Sequence, residues 1–219
     1  MYKKLLEKAE ETGADVVGCD YSLTYEQNYE IGQLVSNSRD EQVGILDADK
    51  HKSLILDPGS LVIKICRREL FEQEPKLRFP EQIFYEDNAI ATRLFIRAKH
   101  FEYIKEPLYY YYQRGTSTVH HANVEKCNDR LKTMEILLAE CYKRGFLEEY
   151  PEELEYRFTE LFYVNTLFTY MRLVPFVRRR VSYVRLIRDG IMAYYPEYAS
   201  NAYFEEKQDA EVKKLTAMH

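Results

Sequence analysis

The chain of 219 residues contains no tryptophan, and its four cysteines never form a Cys-x-x-Cys pair or fall at a zinc-ligand spacing. A structural zinc module and a redox dithiol motif are therefore excluded. Cys19, Cys66, Cys127 and Cys141 read as buried free thiols in a reducing compartment. No run of eighteen apolar residues exists, so no segment is expected to span a bilayer. The opening Met1-Tyr2-Lys3-Lys4-Leu5-Leu6-Glu7-Lys8 carries acid too early for a secretion signal. Positive charge is not in excess either: 31 Lys and Arg stand against 36 Asp and Glu, and the net of −5 argues against a nucleic-acid binder. Internal repeats and low-complexity tracts are absent.

Tyrosine is what the chain has in abundance, twenty residues beside eleven phenylalanines. Tyr-rich clefts suit carbohydrate, and tyrosine is equally common in half-buried strands, so composition alone leaves both readings open. A content of 46% hydrophobic and 31% charged residues is globular, and the length allows one domain or two modest ones.

The pattern predicts a helix over 2–12, with Leu5, Leu6 and Ala9 on one face and Gly13 as its stop. A strand over 14–21 follows. Residues 25–41 are polar and read as a hairpin or an excursion over the sheet. Val43-Gly44-Ile45-Leu46-Asp47-Ala48-Asp49 looks like an apolar strand ending in two spaced acids. The helical pattern continues after it, so Asp47 reads as an N-cap and Asp49 as a first-turn acid. Residues 61–66 read as a strand interrupted by Lys64, which points either at a phosphate or sugar or out to solvent. A helix over 88–99 places Ala91, Leu94, Phe95 and Ala98 on one face and Arg93, Arg97 and Lys99 on the other. Strands are expected over 101–104 and from Pro107 through Gln113, where four consecutive tyrosines alternate between the two faces.

Beyond His121 the pattern is helical. Cys127, Leu131, Met134, Leu138 and Cys141 form one stripe. A second helix is expected over 152–171, and a third from about Pro175 with Val177, Val181, Val184, Ile187 and Ile191 inward. The division expected is 1–121, a helical appendix over 122–196, and a polar, frayed tail over 197–219. The third helix carries Arg172, Arg178, Arg179, Arg180, Arg185 and Arg188. Such a basic amphipathic segment suits an anionic membrane surface, or it is a solvated face paired with the acidic run over 148–160.

Three ordered segments carry a resemblance. Lys64-Ile65-Cys66-Arg67-Arg68-Glu69-Leu70-Phe71 comes first, then Arg78-Phe79-Pro80-Glu81 leading to Glu86-Asp87. Leu108-Tyr109-Tyr110-Tyr111-Tyr112-Gln113-Arg114-Gly115-Thr116-Ser117 comes last. Together they resemble the second half of bacterial family-2 glycosyltransferases, inverting enzymes with a GT-A fold, over about residues 1–121. The resemblance implies a partial GT-A-like α/β sheet with flanking helices, followed by the all-helical appendix. It implies transfer of a sugar from a nucleotide-sugar donor to a polysaccharide or lipid-linked acceptor, in the cytoplasm or at the inner face of the membrane.

By the same resemblance Asp87 is the general base and Glu86 orients the acceptor or the base, against a simpler reading in which both acids cap a helix. Lys64, Tyr110, Tyr112, Arg114, Thr116 and Ser117 are candidate contacts to phosphate or sugar. His120 and His121 are read as facing solvent. A divalent metal, Mn or Mg, is implied for the complete enzyme. The half that would hold metal and nucleotide has no counterpart before Met1, so this chain alone is expected to bind no metal and to be inactive. Self-association through an exposed sheet edge is a further expectation. A non-catalytic carbohydrate-binding or scaffolding remnant, or a truncated product, is the alternative.

Overall fold

Val16–Tyr25 (β1) is the strand around which the first part of the chain is laid out. It pairs in parallel with β5 (His100–Gln113), and antiparallel with β2 (Ile31–Val35) and β4 (Lys64–Cys66). β3 (Gly44–Ile45) pairs antiparallel with the start of β5. The sheet is thus mixed, in the order β2-β1-β5-β3 with β4 also beside β1. In this computed structural model residues 1–25, 31–113 and 124–206 are described. The chain divides into two units, Met1–Phe79 with Ile90–His120, and Pro80–Ala89 with His121–His219.

In the first unit the strand period of two separates two apolar layers. Val17 and Cys19 pack with Leu5, Ala14 and Ile63 beneath α1 (Tyr2–Thr12). Val16, Phe101 and Tyr103 pack with Leu54 of α2 (Ala48–Leu56), Leu70 of α3 (Glu69–Glu72), and Ile90, Leu94 and Phe95 of α4 (Asn88–Arg97). α1 ends where Gly13 takes the left-handed conformation at φ +73°, with its amide on Ala9 O at 2.8 Å. A side chain there would be strained.

Three expectations change. The extended run is one strand rather than two, and it bulges where Pro107 sits. Cys19 faces Ile104, Asp20 faces Pro107 and Tyr21 faces Tyr109, so β5 advances five residues while β1 advances two. A proline without an N–H fits such a bulge and not a regular ladder. Leu61–Ile63 is a 3₁₀ turn, and only Lys64–Cys66 is strand. Arg93 and Arg97, expected on the helix face opposite the apolar stripe, are buried as well. Arg97 donates to the carbonyls of Leu70 and Pro75 at 2.7 and 2.5 Å, so its charge ties down the loop after α3.

The second unit is helical among its described residues. α5 (Val124–Lys143) buries Cys127, Leu131, Met134 and Cys141, and Gly145 at φ +74° follows it. α6 (Phe146–Glu149) leads to α7 (Pro151–Phe158), whose first position suits proline. The expected single helix over 152–171 then widens into a π-helical segment, Thr159–Asn165, before α8 (Thr166–Leu173). Thr166 Oγ1 bonds the Leu161 carbonyl five residues back, at 3.0 Å. α9 (Val181–Tyr194) begins later than expected. Ile187 and Ile191 are fully buried, whereas Val177 and Val181 are exposed rather than inward. Arg172 through Arg188 therefore do not share one helix.

Nor is the described part of the expected tail, residues 197–206, frayed. Tyr198 and Phe204 are buried, and α10 (Ala202–Glu206) follows Asn201, which bonds Glu152 O at 2.9 Å. Phe204 lies 4.8 Å from the Tyr156 ring and Tyr198 lies 5.4 Å from Tyr163. Phe204→Ala is expected to lower the unfolding free energy of the helical unit by about 3 kcal/mol, read by denaturant titration. An unchanged midpoint would mean that this segment contributes nothing to the fold.

Candidate functional site

The acidic pair stands on a turn that its own sequence does not favour. Gln82 and Tyr85 both have positive φ, +54° and +62°, a region costly for side chains with a Cβ. Three nearly buried charged residues on one side of α5 hold Phe84 and Tyr85 of this turn. The Phe84 amide donates to Asp129 Oδ2 at 3.1 Å. Lys126 Nζ lies 4.8 Å from the Phe84 ring centroid, and the Arg130 guanidinium lies 4.1 Å from that of Tyr85. Arg130 is itself fixed by bonds to Asn165 O at 2.7 Å, where the π-helical segment ends, and to Thr169 Oγ1 at 2.9 Å. Every member of this arrangement belongs to the helical unit.

The turn presents Glu86 half-buried and Asp87 exposed. Asp87 Oδ1 accepts the amide of the next residue, Asn88, at 2.9 Å. That is not a capping bond, which would reach two or three residues into the helix. Asp47 makes the regular version: its Oδ1 accepts Lys50 N at 2.9 Å, with Asp49 in the first turn of α2. Among the described residues no ion pair engages Glu86 or Asp87.

In the sheet unit a second polar group gathers on one face of β1. Gly18 pairs with Lys64 of β4 and with Tyr103 of β5. A Cβ on Gly18 would lie 3.1 Å from the Tyr103 ring and 3.2 Å from Lys64 Cγ, so glycine here lets the two side chains close over the strand. Lys64 is buried and does not face solvent; its Nζ donates to Ser60 O at 2.8 Å. Asn37 links the pieces by accepting Ser60 N on its Oδ1 at 2.5 Å and donating its own amide to Tyr103 Oη at 2.8 Å. Tyr103 in turn donates to Asp20 Oδ1 at 2.7 Å. Further along the same face, Ser22 is fully buried and its Oγ has no partner among the described residues.

Burial shapes the titration of this group. Desolvation pulls the Lys64 ammonium down to about 8, against the smaller opposing pull of Cys66 and Asp57. The same burial pushes the Cys66 thiol up to about 12. The Tyr103 hydroxyl is raised, first by burial and then by its bond to Asp20.

The expected site residues divide accordingly. Lys64, Tyr110 and Tyr112 belong to the sheet unit, and Glu86 and Asp87 to the helical unit. Tyr110 is 60% exposed and pairs with Ser22, while Tyr112 pairs with Thr24, two residues further along. Tyr109 and Tyr111 pack edge-on to each other at 6.3 Å, and Tyr109 lies against the α1 side. Arg114, Thr116, Ser117, His120 and His121 lie outside the described residues. Sequence reasoning missed Asp20, Tyr103, Lys126, Asp129 and Arg130. The α5 residues left a signal: 126, 129, 130 and 133 recur at helical spacing as a polar stripe beside the apolar one.

No family model matches the chain, and no curated protein matches it.

The described residues do not fit a divalent ion. No three His, Cys, Asp or Glu side chains among them converge, and Asp47 is committed to capping α2.

Lys64 yields a testable sign. Its folded pKa lies below the unfolded value, so the folded state releases this proton first. Stability from this group therefore rises with pH between about 8 and about 10.5. Lys64→Met should flatten that rise relative to the unaltered chain, and at pH 7 should cost nothing or add stability on the order of 1–4 kcal/mol. Parallel pH profiles for the two proteins in urea unfolding would show Lys64 to be no buried cation.

Proposed function

We propose that this chain is the acceptor-side half of an inverting, GT-A-type glycosyltransferase, with Asp87 as general base. Asp87 takes the proton of an acceptor hydroxyl as that oxygen bonds to the anomeric carbon of a nucleotide-sugar. The bond to the nucleoside diphosphate breaks on the opposite face, and the diphosphate leaves with the electron pair. Glu86 orients the incoming hydroxyl. Tyr110, Tyr112, Arg114, Thr116 and Ser117 are the candidate contacts to phosphate or sugar, whereas Lys64, buried with its Nζ on Ser60 O, is enclosed and not open to either. The acceptor is a polysaccharide or a lipid-linked glycan.

One observation carries this reading over a capping role. The chain holds Tyr85 at φ +62° and commits Lys126, Asp129 and Arg130 to that turn, yet among the described residues Asp87 makes no capping bond, and it remains exposed. A helix start needs none of that support, because Asp47 caps α2 with a single bond. A base, in contrast, must be held rigidly and left open to its substrate. No step is assigned to a metal, since the described side chains offer no ligand set for one.

The test is made in a form of the protein that carries a donor-binding half and turns over nucleotide-sugar. Asp87→Asn is expected to lower kcat by about 10²–10⁴ with the KM for donor unchanged. Activity retained within a few-fold would leave Asp87 without a catalytic role. Acceptor oligosaccharide that binds the chain in calorimetry, with no transfer in any extended form, would mark a carbohydrate-binding module instead.

A further inference from the structure

The most exposed large apolar side chains described are adjacent and sit at the tip of one turn. Phe176 is 80% and Val177 is 90% exposed. They belong to the 3₁₀ turn Phe176–Arg178 that separates α8 from α9. Val181 and Leu186, 68% and 55% exposed, continue the apolar surface onto α9.

This exposure is imposed by the fold. Arg178 N bonds Pro175 O at 2.8 Å and Arg179 N bonds Phe176 O at 3.1 Å. Arg179 Nε donates to Val174 O at 2.9 Å with its guanidinium 5.6 Å from the Phe176 ring centroid. Arg180 N donates to the Tyr170 hydroxyl at 2.6 Å. Beneath the turn, Val174 and Tyr170 are buried against Cys127. The apolar pair is thus braced outward, where it gains nothing from the core.

Positive charge flanks it in sequence. Arg172, Arg178, Arg179, Arg180, Arg185 and Arg188 fall in a stretch from 161 to 188 that contains no acid, in a chain that is acidic overall. None of the six forms an ion pair among the described residues, so the acidic run over 148–160 does not neutralise them. Glu160 pairs with Arg157, and Glu153 accepts from Tyr203.

We propose that the turn at residues 175–181, with α9 behind it, docks on an anionic lipid bilayer. Phe176 and Val177 enter the interface, and the flanking arginines bind lipid phosphates. The chemistry selects this occupant. A protruding apolar tip flanked along the chain by arginines matches the depth order of a bilayer surface, with charge at the headgroups and apolar side chains just below. A second copy of the chain would bring like-charged patches together. This proposal is independent of the glycosyltransferase reading.

The whole chain is mixed with vesicles of phosphatidylcholine alone and with vesicles containing added phosphatidylglycerol, and partition is read by sedimentation. Binding is expected only to the anionic vesicles, and it should weaken as salt rises. Phe176→Ser with Val177→Ser should reduce partition by at least about tenfold, with circular dichroism and thermal midpoint unchanged. Arg178→Gln with Arg180→Gln should also weaken binding and reduce its salt dependence. Equal partition to both vesicle types, or no loss in the Phe176/Val177 variant, would overturn the proposal. So would a sizing column on which that variant changes from dimer to monomer while vesicle binding is unaltered, because the turn would then be a contact between copies.

Discussion

Asp15 is the side chain on which the register of the sheet depends. Its Oδ2 accepts the amides of Lys99 and His100 at 2.8 and 3.2 Å, and its Oδ1 accepts Arg67 Nε at 3.0 Å. Its own backbone bonds His100 O and receives Arg67 N, at 2.9 and 2.7 Å. One residue thus joins the start of β1 to the start of β5 and the end of β4. A slip of one position would turn every β1 side chain to the opposite face. Val17 and Cys19 would leave α1, and Gly18 would no longer lie where Lys64 and Tyr103 need a residue without a Cβ. The polar group on that face follows from this register.

Much of this was legible because it rests on local chemistry. A helix stopped by Gly13 and followed by Val16 and Val17, an Asp47 cap before a helical period, and the buried stripe on α5 all follow from side chains and their spacing. What failed depends on distant partners. The charged face expected for 88–99 gave no sign of burial, but Arg93 and Arg97 are buried, and Arg97 finds carbonyls twenty-odd residues earlier in sequence. Residues 197–206 read as part of a frayed tail because their apolar residues are few. Tyr198 and Phe204 suffice, since Tyr156 and Tyr163 wait for them. The six arginines read as one helix because only composition was visible, whereas the chain turns between α8 and α9 and places them on three pieces of backbone.

The candidate site was half legible for a different reason. Glu86 and Asp87 stood out through their neighbours in sequence. The geometry that separates an open acid from a helix cap did not, because left-handed backbone is ordinarily announced by glycine or asparagine, and here Gln82 and Tyr85 adopt it. The compensation comes from α5, some forty residues later, through Asp129 on the Phe84 amide and Arg130 on the Tyr85 ring. Neither contact can be inferred from the turn's own residues.

Both polar regions are kept at a cost that stability alone would remove. An uncharged residue at 64 would avoid burying an ammonium group, and glycine at 82 or 85 would relieve the backbone. Each cost is met by local contacts that fix a polar group in one place: Asn37, Ser60 and Gly18 around Lys64, and Lys126, Asp129 and Arg130 around the acidic turn. Unfavourable conformations supported in this way cluster where geometry matters more than stability. The two regions differ in access. Lys64 is enclosed and acts on its surroundings through charge, whereas Asp87 is open on its outer side. Only an open, rigidly held carboxylate can exchange a proton with an incoming molecule, and the proposed division of labour follows from that difference.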